Sequence, residues 1–409
     1  MISVFTPSHK PDKLAAAWQS ILRQGDVEFE WIVVLNGDAI YTNDDKRVRV
    51  IQAPDWMCGN VGALKRLACE NAKGDIFVEL DHDDQLLPMC LKIIQSALDD
   101  KENSFFYSAT MEIGKTGEPI VYGSAFGWEH GEHKGKKFNV PFPATPRSLC
   151  EIFYAPNHVR AWKATTYWKA GGHDPRMSVC DDQDLLIRTY LVEAEFLCHP
   201  EPLYLQILDG TTTQSARNAE IQRTQAAVRD RSIMPLAEEW CRREGLKKFD
   251  LGGAHGGRRG FTPVDTVKVD GGIQWDIANN GIPAEDNSVG IIRASDFMEH
   301  VPIGKVVPLM NDIYRALAPG GWLMCNTPST DGRGAFCDPT HVSFWNQLSM
   351  RYYTDKNFSK YVPEIQCRFQ AVRNFTHFPN EWSKEQNLSY VVSDLCALKG
   401  QRQAGQSLI

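Results

Sequence analysis

Short apolar runs alternating with amphipathic stretches constrain this chain more than any other feature. The first part reads "ISVFTPS", "KLAAAWQSILRQG", "EWIVVLNGD", "VRVIQAP", "NVGALKRLACENAKG" and "DIFVELD". The short runs have strand length and the longer ones repeat at helical spacing, so the order is β-α-β-β-α-β, an α/β sheet with helical crossovers. The alternation restarts at "KKFDLGGAHGG" and continues through "FTPVDTVKVD", "VGIIRASDFMEH", "VVPLMNDIYRALAPGG" and "WLMCNTPS". Between the two, residues 216–247 are polar, rich in Arg and Glu, and helical in period apart from Pro235, which marks a domain junction. The predicted organisation is one α/β domain over 1–215, a helical linker over 216–247, a second α/β domain over 248–398 and a disordered tail over 399–409. Inside the first domain, residues 100–160 carry the irregular "GWEHGEHKGKKFNVPFPATP" and read as a long loop.

A chain of 409 residues is long enough for two such domains at roughly 150 residues each. Acidic residues outnumber basic ones, 51 to 44, for a formal charge of -7, which argues against a general binder of phosphate backbones. No apolar run approaches the roughly 20 residues of a membrane helix, and "MISVFTPSHK" enters a strand without a basic, apolar leader. A cytoplasmic protein is expected. The 11 cysteines are scattered without C-x-x-C spacing, as free thiols in a reducing compartment would be.

The segment "DIFVELDHDDQLLP" ends an apolar strand in Asp81, Asp83 and Asp84. Like charges so close repel, unless water screens them on a turn or a divalent cation with oxygen ligands sits between them. The segments around it bear on the choice, because taken together they resemble a family 2 glycosyltransferase of the GT-A, nucleotide-diphospho-sugar transferase fold over roughly residues 1–215. "ISVFTPSHK" has the shape of that family's opening strand, which implies a nucleotide pocket at Thr6, Pro7 and Ser8. "WIVVLNGD" supplies Asn36 and Asp38 where acidic residues usually touch the base. "GNVGALKRLACENAKGDIFVELDHDD" places Lys65 where a basic residue approaches the diphosphate, and "DHDD" becomes the D-x-D motif.

The resemblance implies Mn²⁺ or Mg²⁺ held by Asp81 and Asp83, stabilising the departing diphosphate of a nucleotide sugar, with a UDP-sugar favoured. "GGHDPRMSVCDDQDLLIR" is similar to the family's Gly-Gly to Glu-Asp signature, so Asp182, with Asp181 beside it, is the expected general base that takes the acceptor hydroxyl's proton with inversion at the anomeric carbon. "PLYLQILDGTTTQS" puts Asp209 at the position of a third metal ligand, and "APNHVRAWKATTYWKAGG" offers His158 and Trp162 to the acceptor, whether that is a glycan, a protein, a lipid or a modified nucleic acid.

From about 248 to 355 the chain is similar to a class I, Rossmann-like S-adenosylmethionine-dependent methyltransferase. "FDLGGAHGG" ends a strand at Asp250 and follows it with Gly252 and Gly253, which let backbone amides approach a ligand. The resemblance implies ribose binding by Asp265, an adenine-side contact by Asp276 in "QWDI", and Asp296 in "DFMEHVP" as a further cofactor residue. His300 and His341, the latter in "AFCDPTHVSFW", are candidate bases for methyl transfer to a hydroxyl. The alternative is a C-terminal domain without chemistry that binds the acceptor or a partner chain.

Overall fold

The computed structural model describes residues 1–409 apart from 124–127, 152–154, 209, 211–216, 256 and 401–409, so most of the predicted tail lies outside the described residues. The chain divides into two compact units, Met1–Leu236 and Ala237–Ile409. Residues 218–244, inside the predicted linker, form one helix, Asn218–Glu244, that continues through Pro235 and contains the division.

In the N-terminal unit the expected element order appears as β1 (Ile2–Ser8), α1 (Leu14–Leu22), β2 (Phe29–Leu35), β3 (Val48–Gln52), α2 (Val61–Glu70) and β4 (Ile76–Glu79). β2, "FEWIVVL", is buried at every position, as a strand covered on both faces must be. The chain goes on through β5 (Gln85–Leu86), α3 (Cys90–Leu98), β6 (Ser104–Gly114), the pair β7 (His130–His133) and β8 (Lys136–Asn139), and α4 (Pro146–Glu151). It continues with β9 (Arg160–Lys163), α5 (Ala164–Lys169), α6 (Asp181–Leu191) and β10 (Glu195–Leu208). The sheet order is β3-β2-β1-β4-β9-β6-β10-β5. β3, β2, β1 and β4 are parallel, β9 runs antiparallel to both β4 and β6, and β6 and β10 are again parallel.

Residues 100–160 therefore differ from the predicted loop. β6, "SFFYSATMEIG", is buried at nearly every position in mid-sheet, and only the stretch after it is irregular. The Gly- and Lys-rich hairpin β7–β8 dominates the local composition and hides the apolar strand before it.

The C-terminal unit holds β11 (Lys247–Leu251), β12 (Thr262–Asp265), β13 (Ile273–Gln274), β14 (Val289–Ser295), β15 (Leu317–Pro328), β16 (Phe369–His377) and β17 (Tyr390–Ala397). Their order is β13-β12-β11-β14-β15-β17-β16; the first five are parallel and β17 is antiparallel to both its neighbours. The strand order reverses between β11 and β14, the switch point of a doubly wound sheet. Helix Ile303–Ala316 buries Val306, Leu309, Met310 and Ile313, an i, i+3, i+4, i+7 stripe, within the core that also takes Ile292 and Leu323 of the sheet.

No helix among the described residues is long and apolar enough to cross a membrane. Among the described residues no cysteine is joined in a disulfide.

Candidate active site

A cleft in the N-terminal unit opens at the carboxyl ends of β1, β2 and β4, where ligands bind in open α/β sheets. Pro7 and Ser8 come from the end of β1, Asn36 from the turn after β2, and Asp81, His82, Asp83 and Asp84 from the turn after β4. Lys65 of α2 and Asp181 and Asp182 of α6 line it as well.

Two local devices place these side chains. The Asn60 side chain caps α2 by accepting the Ala63 N–H at 3.0 Å. Two residues on, Gly62 touches the loop before α6: its N–H donates to Met177 O at 3.0 Å, and a Cβ there would lie 2.4 Å from Asp174 O. Only glycine lets the helix come this close, and the approach carries Lys65 to Asp181, Nζ to Oδ2 3.5 Å. α6 then begins after Cys180, which has a left-handed φ of 57°, so Asp181 and Asp182 sit in its first turn, where the helix dipole favours negative charge.

Beneath the cleft lies a buried ion network that the sequence does not announce. Glu79, the last residue of β4, is fully buried and accepts a short hydrogen bond from Lys65 Nζ. His158 Nε2 lies 3.6 Å from its Oε1 and Arg160 3.7 Å from its Oε2. Arg160, itself buried, donates to Asp182 Oδ2 at 2.7 Å. His173 Nε2 stands 3.6 Å from Asp181 Oδ2 and its Nδ1 faces the Tyr167 hydroxyl at 2.8 Å.

Burial opposes ionisation throughout this network, and the partners decide each case. Burial alone would raise Glu79, but the Lys65 ammonium and His158 hold it well below the carboxylate range. Burial would likewise lower Lys65, yet Asp181 and Glu79 keep it well above the usual lysine value. The two neighbouring carboxyls of α6 separate: burial, aided by the Asp182 charge, pushes Asp181 up to about 7 against the pull of Lys65, whereas Arg160 and Lys65 overcome burial at Asp182 and hold it below its ordinary value. His173 falls to about 3, chiefly through burial and then Lys65, so it is a neutral ring.

Across the cleft, burial and then the Asp81 charge raise Asp83. Asp84 is raised further by burial and the charges of Asp81 and Asp83; it is buried and accepts the Ile207 N–H at 2.9 Å, a bond that ties the turn to β10. Asp81 N–H donates to the Tyr204 hydroxyl at 3.0 Å, and Tyr204 stacks on His158 with centroids 4.9 Å apart. Asp81 and Asp83 thus remain as two carboxylates bordering the cleft, a hard oxygen donor set whose mutual repulsion a divalent cation would relieve, so the residues fit such an ion.

Of the residues singled out in the sequence, Pro7, Ser8, Asn36, Lys65, Asp81, Asp83, His158, Asp181 and Asp182 line this one cleft. Thr6, Asp38 and Trp162 do not. Thr6 is fully buried and its hydroxyl accepts the Trp31 Nε1–H at 2.9 Å. Asp38 is exposed on the turn after β2. Trp162 lies wholly in the core because β9 is inserted in mid-sheet, and its indole N–H donates to Thr189 at 3.1 Å, so it presents no surface to an acceptor. Asp209 lies outside the described residues. Glu79, Arg160 and His173 were not foreseen. The available signal was Glu79 itself, a carboxylate closing the otherwise apolar "IFVE".

In the C-terminal unit Gly252, with φ 71°, and Gly253 form the turn after β11. Asp250 is buried and ion-paired with Arg293 at 2.8 Å, and it also accepts the Arg258 N–H at 2.7 Å, so the loop closes back on its own strand. Asp265 accepts the N–H groups of Ala254 and Val267, each at 3.1 Å. Asp276 caps the short helix Ile277–Asn280, and Asp296 sits at φ 49° beyond β14. Asp250, Asp265 and Asp276 thus already accept hydrogen bonds from within the chain, while Asp296 is exposed.

The fold and cleft define a class, an α/β unit with a carboxylate-lined site at the carboxyl ends of its parallel strands. Comparison with known proteins narrows it for the N-terminal part. Residues 3–154 match the family model described as "Glycosyl transferase family 2"; Asp181, Asp182 and the C-terminal unit lie beyond the match. No curated protein matches the chain. Among solved structures it is similar to S. aureus TarS 1-349, at 18% identity and a TM-score of 0.40, covering 60% of this chain and 72% of that one. The same protein in complex with UDP gives the same values, and in complex with UDP-GlcNAc a TM-score of 0.41.

Proposed function

We propose that the N-terminal unit transfers a glycosyl group from a nucleoside-diphosphate sugar to an acceptor hydroxyl, with inversion and with the aid of a divalent cation. The observation that carries this reading is the disposition of charge in one cleft: Asp81 and Asp83 on one element, Asp181 and Asp182 on another, and Lys65 between. A cation held by Asp81 and Asp83 would supply charge neutralisation for the departing diphosphate. Lys65, kept cationic by Glu79 and Asp181, adds a fixed positive charge on the same wall.

Asp182 is the base in this reading. It is the more exposed of the pair, 17% against 5% of the side chain, and the Arg160 guanidinium keeps it ionised and ready to accept a proton. As the acceptor oxygen bonds to the anomeric carbon, the bond from that carbon to the diphosphate oxygen breaks and the hydroxyl proton passes to Asp182. Asp181, drawn towards Lys65 and His173, sets the position of the helix turn that presents its neighbour. His158, stacked on Tyr204 at the cleft wall, remains the candidate acceptor contact.

The test is a thermal-shift screen of nucleotide sugars, UDP-sugars first, with Mn²⁺ or EDTA, on the wild type and Asp83→Ala. Stabilisation by one donor that needs both metal and Asp83 supports the reading. A donor that stabilises equally in EDTA removes the cation from it, and no response to any donor defeats it.

For the C-terminal unit a second reading rests on its strand order. The parallel β13-β12-β11-β14-β15 series with its reversal after β11 supports a Rossmann-like module, in line with the methyltransferase resemblance. Of the carboxylates implied for S-adenosylmethionine, Asp250, Asp265 and Asp276 are already engaged within the chain, which counts against their serving the cofactor. Titration calorimetry with S-adenosylmethionine separates the two possibilities: heat that vanishes in Asp265→Ala supports cofactor binding, and its absence leaves a module that binds acceptor or partner without chemistry.

A further inference from the structure

Beyond β14 the chain enters a short turn, Met298–His300, and the loop after β15 brings His341 back to it. Glu299, His300 and His341 each bring one ligand atom to within 4.8 Å of the others. The main chain builds this meeting. Val342 N–H and Ser343 N–H donate to Glu299 O at 2.8 and 3.0 Å, and the Ser343 hydroxyl donates to Met298 O at 2.7 Å.

The two imidazoles are oriented alike. His300 Nδ1 lies 3.1 Å from the Thr340 hydroxyl, whose own proton goes to Asp338 Oδ1 at 2.6 Å, and 3.3 Å from Thr340 O; His341 Nδ1 lies 3.0 Å from Ala335 O. An Nδ1–H that donates to a backbone carbonyl leaves the Nε2 lone pair free, which is how metal-ligating histidines are held. The carboxylate gives an independent sign. Glu299 is only 2% exposed; Oε2 accepts from the Thr327 hydroxyl, while Oε1 is buried with no hydrogen-bond partner among the described residues. An unpaired buried carboxylate oxygen is costly, and a cation removes the cost.

We propose that Glu299, His300 and His341 form a binding site for a divalent transition-metal cation of the zinc type. Two imidazoles and one carboxylate favour such a metal over Mg²⁺, unlike the all-carboxylate pair Asp81 and Asp83. Three protein ligands leave a coordination position open for water or for an oxygen of a small molecule. The site lies beyond the carboxyl end of β14, a strand that borders the reversal in strand order, where doubly wound sheets take their ligands.

The test uses the full, untagged chain stripped with a chelator, reloaded with Zn²⁺ and counted by elemental analysis, with Co²⁺ absorption spectra to report nitrogen ligation. One Zn²⁺ per chain is expected in the wild type and equally in Asp83→Ala. His300→Ala and His341→Ala each weaken it by more than about 10-fold, since even outer partners of metal ligands cost 10–100-fold. His300 is exposed and His341 half-buried, so both variants keep the fold, checked by circular dichroism without metal. Glu299→Gln, which keeps the volume, tests the buried ligand. A wild type that retains no Zn²⁺, Zn²⁺ retention that depends on Asp83, or full binding in the His300→Ala/His341→Ala double variant overturns the proposal.

Discussion

Replacing Lys65 by Met tests the electrostatic floor of the cleft. Met keeps the length and the apolar stem but removes the ammonium that touches Glu79 and stands 3.5 Å from Asp181. Glu79 is fully buried, so it has no water to turn to, and breaking a buried pair from one side costs about 3–5 kcal/mol. For a unit the size of Met1–Leu236, each kcal/mol moves Tm by about 2–4 °C, so a loss of about 6–20 °C is expected in its unfolding transition. Adding Glu79→Gln to Lys65→Met removes the stranded charge and should restore a large part of that loss. The assay is scanning calorimetry of the four members of the cycle, at a pH where the carboxylates are ionised. A cost below about 1 kcal/mol for Lys65→Met, or effects that add within about 0.5 kcal/mol, would refute the idea that these side chains form one charge-balanced unit.

Asp182→Asn should lower kcat by about 10²–10⁴-fold with donor affinity retained, whereas Asp181→Asn should act less on kcat; equal losses in single-turnover measurements would reassign the base. Glu112 is buried beneath the Tyr122 hydroxyl at 2.6 Å, and burial pushes it up to about 7 despite that bond. Its raised value means a stabilising contribution that is full below its ordinary 4.5 and lost as pH rises through about 7, so Tm should fall less over that window in Glu112→Gln than in the wild type. Trp162→Ala should destabilise by about 3–5 kcal/mol in denaturant titrations, as for a core aromatic, and a small cost there would contradict its placement in mid-sheet.

What the sequence revealed follows from how local each signal is. The strand and helix order to Glu79 was legible because each run carries its own period, and "DHDD" and "DD" stood out because like charges at adjacent positions are expensive wherever they fall. β6 was not legible: its apolar run is followed by a Gly- and Lys-rich hairpin, and nothing local says that the strand crosses the middle of the sheet. The insertion of β9 between β4 and β6 was equally hidden, and it accounts for both the surprise of Arg160 reaching Glu79 and Asp182 and the placing of Trp162 in the core. Contacts between residues about 80 apart, such as Glu79 with Arg160, leave no periodicity behind.

The uneven charge around the cleft has a consequence for the order of events. Asp81, Asp83, Asp84, Asp181 and Asp182 line the cleft above the buried Glu79, and the two strong bases that line it among the described residues, Lys65 and Arg160, are already committed to carboxylates. A bare diphosphate, itself an anion, gains little by arriving first. In the proposed mechanism the ion would come before the nucleotide or travel with it, and the product diphosphate would leave in the same company. Turnover by that mechanism would then be paced by the supply and exchange of the cation as much as by the sugar it helps to move.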